Sequence, residues 1–296
     1  MSSMNGVIVV DKPQGWTSHD VVGKMRRIAG TRKIGHLGTL DPLATGVLPL
    51  LLNRATRLAQ FFTKNDKLYE GSIRFGFATD SYDADGEPAG PDTAPHLTLE
   101  QVEQCLAPYR GVFDQTPPPV SAKKIGGKKA YELARRNIPV EIPPVTITVH
   151  ELTLLGLDGR DARIRVHCSS GAYIRSIAHD AGQRLGAGAH LAALRRLASG
   201  PFTLAQAHTL EELERLAQED RLAQALVPAA ELLPEIPSEI VDRMTEAQIR
   251  QGRTFRASPF RSRGTARLIK ALSREGDLVA IGEIRLPNLY QPIVVF

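Results

Sequence analysis

One carboxylate, Asp41, stands alone in the stretch GHLGTLDPLATGVLP, residues 35–49. Around it lie Gly35, Gly38 and Gly46 and two prolines, Pro42 and Pro49. Glycine permits positive φ or a close backbone approach, and proline fixes φ, so this loop is specified well beyond what a connection needs. Asp-Pro is also a common helix start, with Asp as N-cap and Pro as first helical residue. The flanking glycines instead favour a loop that aims one side chain. No second carboxylate or cysteine lies close in sequence, so Asp41 suits a lone nucleophile or base. A pocketed carboxylate that stays ionised needs a cation. Arg175, in GAYIRS, follows a strand and a glycine at the start of a helix. Arginine is always charged and can bond a carboxylate through two donors. Tyr69 and Tyr173 lie in neighbouring segments. Aromatic residues usually serve the core, but stacking on an unpaired nucleic-acid base needs them too.

These side chains need elements to hold them. GVIVV (6–10) is expected as a buried strand, stopped by DKPQG. Thr17 or Ser18 caps a helix over 19–29, with Val21, Val22, Met25 and Ile28 on one face. VLPLLL should be a strand and RATRLAQFFTK a helix. In LYEGSIRFGFAT the apolar Tyr69, Ile73, Phe75 and Phe77 alternate with polar residues, a strand with one wet face. TDSYDADGEPAGPD reads as a polar loop, and TLEQ at 98 as a capping box opening a helix to about 107. Strands over 145–156 and 162–168 precede a helix from near Tyr173, and HLAALRRL is expected as a further helix from about 190. Thr209 and Glu212 have capping-box spacing. The irregular alternation implies a mixed α/β (α+β) catalytic domain over 1–225. TPPPVSAKKIGGKKAYELARR (116–136) interrupts it, three prolines leading into Lys123, Lys124, Lys128, Lys129, Arg135 and Arg136 against the single acid Glu132. It is expected as an exposed basic insertion over about 116–144. Residues 226–238, with three prolines, read as a linker, and 239–296 as a small separate β domain.

The bulk properties narrow the function. The 296 residues carry a net charge of +5, which permits an anionic partner. Cys105 and Cys168 are far apart, against a disulfide scaffold or a cysteine-rich metal site, and no two of the eight histidines form an HxxxH pair. No metal is expected. No run of 18 apolar residues exists, and the N-terminus lacks a basic segment leading into a long apolar one, so a cytoplasmic location, with no signal peptide and no membrane attachment, is expected.

The Asp41 stretch resembles the catalytic motif of the TruB family of tRNA pseudouridine synthases, which make the Ψ of the TΨC loop. Four further stretches are similar to that family in its order: GVIVVDKPQGWTSHD, KLYEGSIRFGFATDSYDADGE, TPPPVSAKKIGGKKAYELAR and CSSGAYIRSIAHDAGQRLGAGAHLAALRRLASGPF. Together they span most of residues 6–202. Ser170 and Ala172 stand where the family pattern has Lys and Thr, and neither is a chemical group of the mechanism.

The resemblance implies a pseudouridine synthase fold with a mixed sheet, followed by a PUA-like domain over 239–296. It implies that Asp41 is the catalytic group, acting on a flipped-out uridine at position 55, and that Arg175 pairs with it. Tyr69 would stack on the target base and assist proton movement at C5. His36 would support the flipped nucleotides, and Tyr173 and Leu194 would contact bases. Lys12 matches a basic residue of the first motif, its role open between structural support and substrate contact. Whether the carboxylate attacks C6, attacks C1′ or removes a sugar proton is left open. The isomerisation is redox-neutral, so no cofactor is expected. The implied partner is tRNA, through its T arm and elbow, with the basic insertion folding over the T arm. The basic run from Arg250 to Arg274 would reach towards the acceptor stem. A monomer with no obligate protein partner is expected. The alternative is a non-catalytic tRNA-folding chaperone on the same scaffold, which the presence of both Asp41 and Arg175 disfavours. An RNA-guided synthase of the archaeal and eukaryotic type shares the motifs. The short N-terminus and the lack of long basic tails disfavour it.

Overall fold

Strand β1 (Gly6–Lys12) is apolar from Val7 to Val10 because both of its faces are covered. In the computed structural model, which describes residues 4–120, 142–258 and 266–296 and the backbone of 124–125 and 128–129, it lies deep in one large mixed sheet. Helix α1 (Ser18–Ile28) starts at a capping box. Asp20 N–H donates to the Thr17 hydroxyl, and Thr17 N–H donates to the Asp20 carboxylate. The sheet continues with β2 (Ile34–His36), β3 (Thr45–Leu52), β4 (Lys67–Phe75) and β5 (Gly111–Gln115). The segment RATRLAQFFTK, expected as a helix, winds as a 3-10 helix over Asn53–Phe61. A two-residue pairing joins β6 (Lys124–Ile125) to β7 (Lys128–Lys129). Then come β8 (Val145–Asp158), β9 (Asp161–Cys168), β10 (Ala189–Ser199), β11 (Phe202–Thr203), β12 (Ala207–His208) and β13 (Leu226–Pro228). Helices α2 (Leu99–Leu106), α3 (Ile174–Arg184) and α4 (Leu210–Gln218) cover one face.

The main strand order is β12-β1-β3-β10-β4-β9-β8-β5. β12 with β1 and β3 with β10 are parallel, and the other neighbours on this path are antiparallel. β10 corrects the expectation of a helix from residue 190. Its leucines, alanines and arginines are good helix formers, but the segment pairs with β4 along its length and with β3 on its other edge. Tertiary pairing outweighs intrinsic preference there. Gly46 makes the β3–β10 contact possible. Its φ is +97°, and a Cβ at this position would lie 2.2 Å from the Arg196 carbonyl oxygen.

The alternation along β1 and β3 divides two cores. Ile8, Val10, Leu48 and Leu50 pack with Val21, Met25, Ile174 and Ile177 on the helix side. Val7, Val9, Val47 and Leu51 pack on the other side with Leu278, Ile281, Val294 and Phe296 from the C-terminal domain. That domain comprises β14 (Ser238–Ile240), α5 (Arg243–Arg250), β15 (Phe255–Arg256), β16 (Leu268–Leu272), β17 (Leu278–Leu286) and β18 (Leu289–Val295). Its strand order is β14-β16-β17-β18-β15, around a small core that includes Ile249, Phe255, Ile269 and Tyr290.

Residues 226–238, read as a linker from their prolines, pack against the sheet. β13 pairs antiparallel with β1, Ala229 N–H bonds the Asn5 carbonyl, and Leu232, Leu233 and Ile236 are buried. The prolines end regular structure without creating slack. Lys270, counted in the C-terminal basic run, is buried, and its Nζ donates to the carbonyls of Ala230 and Leu232. Arg261, Arg263 and most of the basic insertion lie outside the described residues. Among the described residues no helix is long and apolar enough to cross a membrane.

Candidate active site

The Asp41 loop joins β2 to β3 and is pinned from several sides through its backbone. Ser18 Oγ bonds both the N–H and the carbonyl of Leu40, at 2.8 and 3.0 Å. The Pro42 carbonyl accepts from Gly15 N–H at 2.9 Å and from Lys12 Nζ at 3.3 Å. Gly38 sits at φ +103°, while Leu40, Leu43 and Ala44 are buried. No helix starts at Asp41. Its carbonyl accepts from Ala44 N–H in a turn, and its side chain keeps 40% of its surface open. A loop tied down on both flanks thus offers one free carboxylate.

Arg175, in the first turn of α3, meets that carboxylate, with Nε 3.0 Å from Asp41 Oδ2. The contact is an ion pair without hydrogen-bond alignment. It is also a one-point contact, because the rest of the guanidinium is engaged elsewhere. Nη1 donates to the Ser81 carbonyl at 2.9 Å and lies 3.3 Å from Asp83 Oδ2. Nη2 donates to the Val120 carbonyl at 3.0 Å. Arg175 is therefore a hub joining the Asp41 loop, the acidic loop after β4 and the root of the basic insertion. Asp83 is itself fixed. Its carboxylate accepts from Ser81 Oγ at 2.6 Å, and its segment bridges to Leu191 of β10.

A second buried cation supports the loop. Arg196 on β10 is fully buried and donates to the carbonyls of Val47, Gly38 and Thr39 at 2.7, 3.1 and 3.4 Å. It also lies against the Tyr69 hydroxyl, whose pKa burial pushes upward, so Tyr69 is neutral near pH 7.

Burial raises the Asp41 pKa, Arg175 lowers it, and Asp83 raises it again. The open part of the side chain lets water damp this rise, but the direction holds, because two acids share one arginine. Lys12 is fully buried, and burial lowers its pKa to about 8 despite Asp41 and Asp85. Its Nζ spends its protons on the carbonyls of Pro13, Trp16 and Pro42. It therefore braces the loop from behind.

Asp41, Tyr69, Tyr173, Arg175 and Leu194 line one cleft of about 280 Å³, together with Lys67, Ser169 and Arg196. The volume is at the small end for ligand sites. Tyr173 is set by a backbone clamp. Its N–H bonds Gln115 Oε1, and its carbonyl accepts from Gln115 Nε2. His36 ends β2, two residues before the cleft wall begins at Gly38, and is exposed. Asp83 and Arg196 escaped sequence reasoning. Asp83 lies in a loop whose composition reads as solvated, and Arg196 in a segment read as a helix. Its neighbour Arg195 does what surface arginines do, pairing with Asp11 at 2.7 Å.

Residues 26–174 match the TruB family pseudouridylate synthase N-terminal domain, and residues 175–234 the tRNA pseudouridylate synthase B C-terminal domain. The tRNA pseudouridine synthase B of Solibacter usitatus is 64% identical over 292 residues, covering 99% of this chain and all of that protein. The protein of that name from Geobacillus thermodenitrificans is 40% identical over 305 residues, again 99% of this chain and all of the other. Among solved structures, the chain resembles one in an H/ACA RNP bound to a substrate RNA containing 2'-deoxyuridine. The TM-score is 0.71 and the identity 25%, covering 99% of this chain and 85% of that one. It also resembles one in a Cbf5-Nop10-Gar1 complex, with TM-score 0.69 and 28% identity, covering 96% of this chain and 80% of that one.

Proposed function

Because the chain belongs to the TruB family of pseudouridylate synthases, we propose that it isomerises uridine 55 in the T loop of tRNA to pseudouridine, with Asp41 as the group that acts on the flipped-out base. The observation that carries this reading is the half-open Asp41 carboxylate held against Arg175 in a cleft of about 280 Å³ walled by Tyr69. The bond from C1′ to N1 breaks, the base turns, and C1′ joins C5. The C5 proton leaves to solvent and N1 gains one, so atoms and electrons balance without a redox partner. Asp41 works ionised, by attack on C6 or C1′ or by taking a sugar proton. Tyr69, neutral and beside the cleft, stacks on the base, and Tyr173 and Leu194 complete its surroundings. Lys12 and Arg196 act through the loop backbone as positioning residues. His36, at the rim, meets the nucleotides displaced with the target. Extruding the base costs a few kcal/mol, which phosphate contacts to the T arm and elbow offset.

The test is a tritium-release assay on an unmodified tRNA transcript labelled at uridine C5, with mass spectrometry to locate the product. One release per tRNA, at the T loop, is expected from the purified chain alone. Tight tRNA binding without release would favour the folding-chaperone reading.

Two outcomes follow from the shared arginine. Lysine at position 175 offers one charged point where the guanidinium serves Asp41, Asp83 and two carbonyls. Arg175→Lys should lower the single-turnover rate by about 10²-fold or more, roughly 2.7 kcal/mol in the barrier. A near-normal rate would remove the hub role. The raised Asp41 pKa puts the acid limb of the rate profile above the ordinary aspartate value of about 3.9. Below that limb Asp41 is protonated and inactive. Asp83→Asn removes a nearby negative charge, so the limb should move to lower pH in the single-turnover profile. A shift to higher pH would contradict the assigned electrostatics.

A further inference from the structure

We propose that Asp66, His150 and His167 form a binding site for a divalent metal of the zinc class, on the outer face of the sheet beside the cleft. His150 Nε2 lies 3.1 Å from Asp66 Oδ2, His167 Nε2 lies 3.9 Å from the same oxygen, and the three donor atoms all fall within 4.8 Å of one another. The two imidazole rings are 4.8 Å apart between centroids.

Strand register brings these distant residues together. Lys67 pairs with Cys168 and Leu68 with His167, which sets Asp66, just before β4, beside the end of β9. The β8–β9 pairing slips between Val149–Cys168 and Glu151–His167, leaving His150 as the extra residue of a bulge. Val149 and Leu152 stay buried on either side, so the bulge turns His150 outward beside His167. Glu151, also outward, is engaged by the Thr153 hydroxyl at 2.8 Å.

Two imidazoles and one carboxylate suit zinc, cobalt, nickel or copper, whereas magnesium and calcium take oxygen ligands. Donors bound tetrahedrally to one ion at about 2.0–2.2 Å sit roughly 3.4 Å apart, and the His150–Asp66 pair, at 3.1 Å, is already near that spacing. His167 must close by about 0.5 Å on Asp66, and the widest donor pair, at up to 4.8 Å, by about 1.4 Å; the His167 side chain is 42% exposed. Water completes the coordination. A sequence search for short ligand spacings misses this trio, because 66, 150 and 167 meet only through the sheet.

His208 and Glu212 provide an internal control. They approach to 3.9 Å across four residues of sequence and, among the described residues, belong to no such trio. The experiment uses the untagged full-length chain, stripped with chelator and titrated with Co²⁺ while its d–d absorption is followed. Zn²⁺ then displaces the cobalt. One equivalent should bind, and His150→Ala and His167→Ala should each weaken binding about tenfold or more, while His208→Ala leaves it unchanged. Zn²⁺ should raise the unfolding temperature of the unaltered chain but not of the two site variants, whose metal-free unfolding temperatures should match it. The proposal fails if no stoichiometric binding occurs below about 100 µM metal. It also fails if His150→Ala binds normally, or if His208→Ala weakens binding as much as the site variants do.

Discussion

Asp41→Asn should yield a folded protein that binds tRNA and forms no detectable pseudouridine. The substitution keeps the shape of the side chain and removes its charge. The bonds that shape the loop run through the backbone of Leu40, Pro42 and Ala44 and through Lys12 and Arg196, so none of them is lost. What disappears is the anion opposite Arg175, and with it the nucleophile or base. Affinity for tRNA should stay within about tenfold of the unaltered chain, at most ~1.4 kcal/mol, since phosphate contacts dominate it. Tritium release and filter binding on the same preparation separate the two quantities. Turnover above background would take Asp41 out of the chemistry. Lost binding with lost turnover would move its role to substrate capture.

Removal of the chain after Pro234 should leave no stable catalytic domain. Read from sequence as an appended unit, the C-terminal domain looks dispensable for folding. In the structure it covers the second face of the sheet, with Leu278, Ile281, Val294 and Phe296 against Val7, Val9, Val47 and Leu51. Each such side chain contributes about 1.5–3 kcal/mol when buried. Four together rival the whole net stability of a typical domain, about 5–15 kcal/mol. Ile236 and the Lys270 bonds to Ala230 and Leu232 would go as well. The truncated chain is expected in the insoluble fraction or, if soluble, without a cooperative thermal transition. A soluble fragment that melts cooperatively near the full-length temperature would mean that this face tolerates water.

The two misreadings and the successes have physical causes. The Asp41 loop was legible because its glycines and prolines are written within fifteen consecutive residues. Arg175 was legible because a lone pocketed carboxylate demands a cation and a glycine-flanked arginine at a helix start is unusual. The capping boxes at Thr17, Thr98 and Thr209 appear as expected, because capping is local. β10 was not legible, since its residues prefer a helix and only β3 and β4 make it a strand. Arg196 was lost with it. Asp83 looked like one of several solvated acids, and only the fold turns it towards Arg175. The segment 226–238 was judged by its prolines, although its leucines pack on the sheet.

The place of β10 also sets a timetable for synthesis. The antiparallel pair β1–β3 and the strand β4 are made early, but the strand that joins their edges lies more than a hundred residues beyond β3. At a ribosomal pace of about 5–20 residues per second, on the order of ten seconds pass before it emerges. During that interval β4 and the Thr45–Gly46 end of β3 present open edges, the feature that invites association between nascent chains. Arg175 and Arg196 arrive in the same late stretch. A partly made chain therefore carries Asp41 and Lys12 but neither Arg175 nor Arg196, and completes the Asp41 pocket only when the two halves of the sheet are sewn together.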